Sequence, residues 1–86
     1  MKLSRNFLVH NTEEESVLVP TGSAAFSGVV RGNRTLGAIL DLLKKDTTAE
    51  QLVAAMKERY DAPEDLIRRD VNEALSALRK IGALDD

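Results

Sequence analysis

The spacing of apolar and polar residues changes character part-way along the chain. Up to about residue 31, apolar residues come in short runs between turn formers, the habit of β-strands. Phe7-Leu8-Val9-His10 predicts a first strand, Asn11-Thr12-Glu13-Glu14 a polar turn, and Glu15-Ser16-Val17-Leu18-Val19 a second strand, together a hairpin. Pro20 lacks an amide proton and is expected to end that pairing, with Thr21-Gly22-Ser23 carrying the chain around a corner. Ser27-Gly28-Val29-Val30-Arg31 predicts a third strand, short and at a sheet edge.

From Asn33 onward the apolar positions recur with helical spacing. Asn33 is a good N-cap, and Leu36, Ile39, Leu40 and Leu43 form one buried stripe that ends at Lys44-Lys45, two cations suited to the negative end of the macrodipole. Thr47 and Glu50 read as a capping box for a second helix, with Leu52, Val53, Met56 and Tyr60 as its stripe. Asp61 reads as the cap of a third helix, with Pro63 in its first turn and Glu64 at the box position. Its stripe is Ile67, Val71, Ala74, Leu75, Leu78 and Ile81, and Gly82 is the expected left-handed stop. Leu84 is expected to fold back onto this stripe, leaving Asp85-Asp86 in solvent. The order predicts one α+β domain over residues 1–86, a three-stranded antiparallel sheet followed by a three-helix bundle, resembling a winged helix-turn-helix.

Composition narrows the chemistry. There is no cysteine and a single histidine, so no CxxC or HxxxH spacing exists to hold zinc or an iron–sulfur cluster; no metal or cofactor is expected. No apolar run approaches the roughly 20 residues needed to cross a bilayer, and Met1-Lys2-Leu3-Ser4-Arg5-Asn6 lacks the apolar core of a secretory signal. A cytoplasmic protein without membrane attachment is therefore expected. Twelve basic residues against 14 acidic give a net charge of −2, which supplies no overall pull toward nucleic acid or anionic lipid.

Enzymatic signals are weak. His10, the one side chain that titrates near neutrality, sits in a predicted strand without a paired serine or cysteine pattern nearby. Glu13-Glu14-Glu15 and Asp85-Asp86 fall in a turn and a tail, where solvated charge is the ordinary outcome. Gly22, Gly28, Gly32 and Gly37 lack phosphate-loop spacing. The third strand is the more informative feature. An edge strand carries unpaired amides and carbonyls at fixed spacing, which an extended peptide can pair with while alternate side chains enter pockets. On this reading the amide of Val30 is an edge donor, and Val29 and Val30 point to opposite faces.

Several segments together resemble the PqqD family. Val29-Val30-Arg31-Gly32-Asn33-Arg34-Thr35-Leu36-Gly37-Ala38-Ile39-Leu40-Asp41-Leu42-Leu43 is similar to its strand-to-helix element, and Thr48-Ala49-Glu50-Gln51-Leu52-Val53 to its second-helix entry. Tyr60-Asp61, Asp70-Val71 and Leu75-x-x-Leu78-x-x-x-Gly82 are similar to its third helix and ending; with Leu18-Val19-Pro20, the resemblance spans nearly the whole chain. The chain departs from the family pattern at Arg31-Gly32 and at Lys45-Asp46.

The resemblance implies a non-catalytic peptide-recognition domain. It would bind the leader of a ribosomally made precursor peptide and present it to a maturation enzyme, often a radical S-adenosylmethionine protein. It also implies that the leader lies against the third strand in a groove shared with the third helix, placing Ser27, Val29, Val30 and Arg31 at the site. Two flanks of the third helix can face that groove, one with Arg68, Asn72, Leu75 and Arg79, the other with Leu66, Asp70, Glu73 and Ala77. The first is favoured here, because leader peptides are frequently acidic and the two arginines can hold carboxylates bidentately. The alternative function is that of a winged-helix DNA-binding regulator read out by Arg68, Arg69, Asn72, Ser76 and Arg79. Glu64, Asp65, Asp70 and Glu73 on the same helix would repel phosphates, and a basic footprint is missing. A free edge on a domain of this size also permits a homodimer, paired edge to edge or by strand exchange.

Overall fold

The computed structural model describes residues 1–22 and 28–85. Its elements are β1 (Lys2–Leu3), β2 (Phe7–Asn11), β3 (Ser16–Pro20), β4 (Val30–Gly32), α1 (Arg34–Leu42), α2 (Ala49–Arg59), α3 (Glu64–Lys80) and β5 (Leu84–Asp85). The expected α+β order of sheet and then three helices is what folds: β2, β3 and β4 form a three-stranded antiparallel sheet in that order. Alternation along β2 and β3 turns Phe7 and Leu18 into the core and leaves Leu8 and His10 on the outer face. The helical stripes close over the inner face. Leu40, Leu43 and Val71 are completely buried, with Ile39, Leu52 and Met56 almost so. Each such side chain contributes about 1.5–3 kcal/mol relative to exposure, which is how a chain without staples holds together. No helix among the described residues is long and apolar enough to cross a membrane.

A second, two-stranded sheet was not anticipated. Lys2 pairs with Asp85 and Leu3 with Leu84, joining the two ends of the chain. The Leu3 amide also donates to the Leu43 carbonyl at 2.9 Å and the Ser4 amide to Ala83 at 2.7 Å, so both ends are fastened beneath α1 and α3. Leu84 thus returns to the core within a strand, and Ala83 beside it is fully buried.

Three boundary details differ from the sequence reading. Pro20 does not end the hairpin; it is the last residue of β3 and stands opposite Phe7. The Thr21 amide donates to Asn6 at 2.8 Å and the Thr12 amide to Glu15 at 2.8 Å. In the alternation of an antiparallel ladder, those bonds make Phe7 and Pro20 a non-hydrogen-bonded pair, where the proline nitrogen faces away from β2 and the hairpin loses no bond. The capping box of α2 is Thr48 with Gln51 rather than Thr47 with Glu50. Thr48 takes the extended conformation, its hydroxyl accepts from the Gln51 amide at 3.2 Å and its amide donates to Gln51 Oε1 at 3.1 Å. At α3 the N-cap is Pro63, without a side-chain cap, instead of Asp61. A residue before proline is driven out of the helical region, so Ala62 cannot lie inside the helix and the start moves past it. Glu64 and Asp65 in the first turn complement the dipole there.

Candidate functional site

The edge of β4 is the starting point. Its register pairs Leu18 with Val30, Val17 with Arg31 and Ser16 with Gly32. Because β2 uses the main-chain groups of Val17 and Val19, those of Ser16 and Leu18 turn toward β4. Val30 and Gly32 therefore face β3, and the amide and carbonyl of Arg31 face outward. This corrects the expectation for Val30: its amide belongs to the ladder, and Arg31 presents the edge donor. Pro20 sits where the ladder would continue toward Gly28, and its missing N–H limits β4 to three residues. Gly28, at φ 120°, turns the chain away with a backbone that only glycine adopts readily.

An open groove of about 390 Å³ runs beside this edge, between β4 and α3. Val30 and Arg31 form one side, Leu36 and Ile39 of α1 the floor, and Asp70, Glu73, Ala74 and Ala77 of α3 the other wall. The four α3 residues follow i, i+3, i+4, i+7, so a single flank of the helix makes the wall. Leu36 is placed by the first turn of α1, where Asn33 Oδ1 accepts from the Leu36 amide at 3.0 Å. Gly32 lies so close under Leu36 that a Cβ would overlap its side chain, which is why strand and helix meet tightly at the groove floor. A second, more enclosed cavity of about 120 Å³ lies beside the groove, between the three helices. It is walled by apolar side chains such as Met56, Tyr60, Leu66 and Val71, and Thr35, Ile39 and Asp70 line both spaces.

The expected site residues separate. Val30 is half-buried, lines the groove and packs on the core, whereas Val29 is 54% exposed. Arg31 lines the groove with its side chain exposed, 3.7 Å from Glu15. Ser27 lies outside the described residues. On α3, the favoured flank is not the one beside β4. Arg68 faces α2, where its guanidinium grips the Glu50 carboxylate with both nitrogens and lies 3.8 Å from Glu64. Arg79 reaches the Met1 sulfur at 3.6 Å, Asn72 is exposed, and Leu75 is a core residue at 2% exposure. Packing of α3 against α2 fixes the helix rotation, and the flank of Asp70, Glu73 and Ala77 meets the groove instead. Leu36 and Ala74, read from the sequence as core, complete it; the small side chains of Ala74 and Ala77 are the signal that space is left there.

The electrostatics of the outer helical face are those of a clamp. Hydrogen bonds from Arg68 hold the Glu50 carboxyl below its ordinary range, and Lys57, 2.6 Å away, does the same for Glu64 with help from Arg68. Of the arginines proposed to read DNA, Arg68 is engaged by these two acids and Arg79 by the Met1 sulfur, while Arg69 lies 4.0 Å from Glu73 with both side chains exposed.

Known proteins fit this architecture. No curated protein sequence matches the chain. Among solved structures the chain is similar to TbiB1 in complex with the TbiA(beta) leader peptide, with a TM-score of 0.76 over 99% of this chain and 100% of that one. At 22% sequence identity, that likeness speaks for the fold. The family model for Coenzyme PQQ synthesis protein D (PqqD) matches residues 15–84, which take in β3, β4, all three helices and both walls of the groove. The chain belongs to the PqqD family.

Proposed function

We propose that this chain captures the leader of a ribosomally made precursor peptide as an added strand on β4 and presents it to a modifying enzyme of the radical S-adenosylmethionine type or another maturation class. The observation that carries this reading is the free main-chain edge at Arg31 beside a peptide-sized groove whose floor and far wall come from α1 and α3. Membership of the PqqD family and the likeness to a protein solved with a leader peptide support it. An extended peptide placed there gains main-chain hydrogen bonds from β4 while every second side chain faces Leu36, Ala74 and Ala77. The role is non-catalytic. The groove offers main-chain donors, an apolar floor and carboxylates, while His10 lies on the outer sheet face.

Calorimetric titration tests it. Synthetic leaders of short peptides encoded beside the gene are titrated into the full chain, in parallel with mixed-sequence duplex DNA at moderate salt. Micromolar or tighter binding to one leader without a DNA signal is expected. DNA binding without peptide binding would overturn the reading in favour of a regulator.

A further inference from the structure

Two acids of α3, Asp65 and Asp70, have no hydrogen bond or ion pair among the described residues; Asp65 is exposed in the first turn, whereas Asp70 lines the groove. Glu64 is held by Lys57 and Glu73 has Arg69. Asp70 is half-buried and lines the apolar cavity as well. A peptide that covers this carboxylate displaces its water, and no partner among the described residues compensates. The cation nearest in sequence, Arg69, turns to Glu73, and the cation across the groove, Arg31, turns to Glu15.

We infer, on the leader-binding reading above, that Asp70 is a specificity-determining residue, selecting peptides with a lysine or arginine at the position that faces α3. The groove has the shape for such a side chain. The aliphatic stem lies along Leu36, Ala74 and Ala77, and the cationic head reaches Asp70 on the far wall. A charge-assisted hydrogen bond then supplies the partner that Asp70 lacks. Acidic side chains at that position meet like charge and are rejected. The selectivity is the reverse of what the arginine flank would have given, because the arginines face α2 and the N-terminal strand.

The test is selection of random twelve-residue peptides on the full chain, in three forms: unchanged, Asp70→Asn, and Arg31→Pro. Lysine or arginine enriched at one position of peptides selected on the unchanged chain, with that preference lost on Asp70→Asn, is the expected result. A selected peptide made synthetically should bind Asp70→Asn about ten-fold more weakly. Replacing its cation by methionine should weaken binding to the unchanged chain but add little on Asp70→Asn, the signature of a direct pair. Thermal unfolding of Asp70→Asn checks that its fold is intact. Peptides that need the Arg31 amide yet show no preference for a cation would overturn this inference and leave leader binding standing. Peptides indifferent to Arg31→Pro, or the failure of any peptide to enrich, would overturn both.

Discussion

Replacing Arg31 by proline probes the β4 edge with the least disturbance elsewhere. The Arg31 amide is not part of the β3–β4 ladder, so its loss breaks no bond within the sheet, and proline is tolerated on an edge strand whose N–H faces outward. The side chain lost with it makes one exposed contact to Glu15 at 3.7 Å, which contributes little. A bound peptide, however, would present a carbonyl to a ring carbon in place of a donor. An acceptor stripped of its partner costs about 1–3 kcal/mol. The edge is open to water, so the lower half of that range applies and the dissociation constant should rise roughly 5- to 30-fold. Calorimetry with a cognate leader measures this, with Arg31→Ala as the control for the side chain alone. Val30→Pro gives the contrast: it removes a ladder bond to Leu18 and should lower the melting temperature as well as binding. Equal affinities for Arg31→Pro and Arg31→Ala would refute peptide addition at this edge.

Other perturbations separate site from scaffold. Leu75→Ala should cost about 2–5 kcal/mol in denaturant unfolding, because it opens a hole in the core, while any folded fraction binds peptide normally. Asn72→Ala should leave both stability and peptide affinity within experimental error, since this exposed side chain is not part of the groove. Gly82→Ala has free space around it but sits at φ 74°, so a loss of about 1 kcal/mol should come from backbone strain alone, read from a shift in denaturant midpoint. Glu50 and Glu64 have lowered folded-state pKa values, so their clamp on Arg68 and Lys57 contributes stability above the unfolded carboxylate value of about 4.3. That contribution is lost as pH falls through the lower folded values. Melting curves of Glu50→Gln should therefore fall less steeply in acid than those of the unchanged chain.

The helices and the hairpin were legible because each carries a long apolar period that only one structure satisfies. Leu36, Ile39, Leu40 and Leu43 can share a face only on a helix, and they do. Two-residue strands have no period, so the pairing of Lys2-Leu3 with Leu84-Asp85 left no mark in the sequence. Thr47 and Thr48 are adjacent and both precede an acid or amide at capping distance, so the box was legible to within one residue. The groove was legible as a strand edge beside a helix, but not the flank of that helix. Residues 68, 72, 75 and 79 and residues 66, 70, 73 and 77 both fit helical spacing, and the choice is made by packing of α3 on α2, with Arg68 drawn to Glu50. Likewise, which β4 amide is free depends on the phase of the ladder, which is set by the hairpin bonds at Thr12 and Thr21.

The most direct test is amide hydrogen exchange by nuclear magnetic resonance on the isotopically labelled chain, with and without a cognate leader. Protection of the Arg31 amide on leader binding, with the outward Val9 amide at the opposite edge of the sheet unchanged, is the predicted result. Protection confined to the β2 edge, or shifts centred on Arg68 and Asn72 with Arg31 unaffected, would contradict the account.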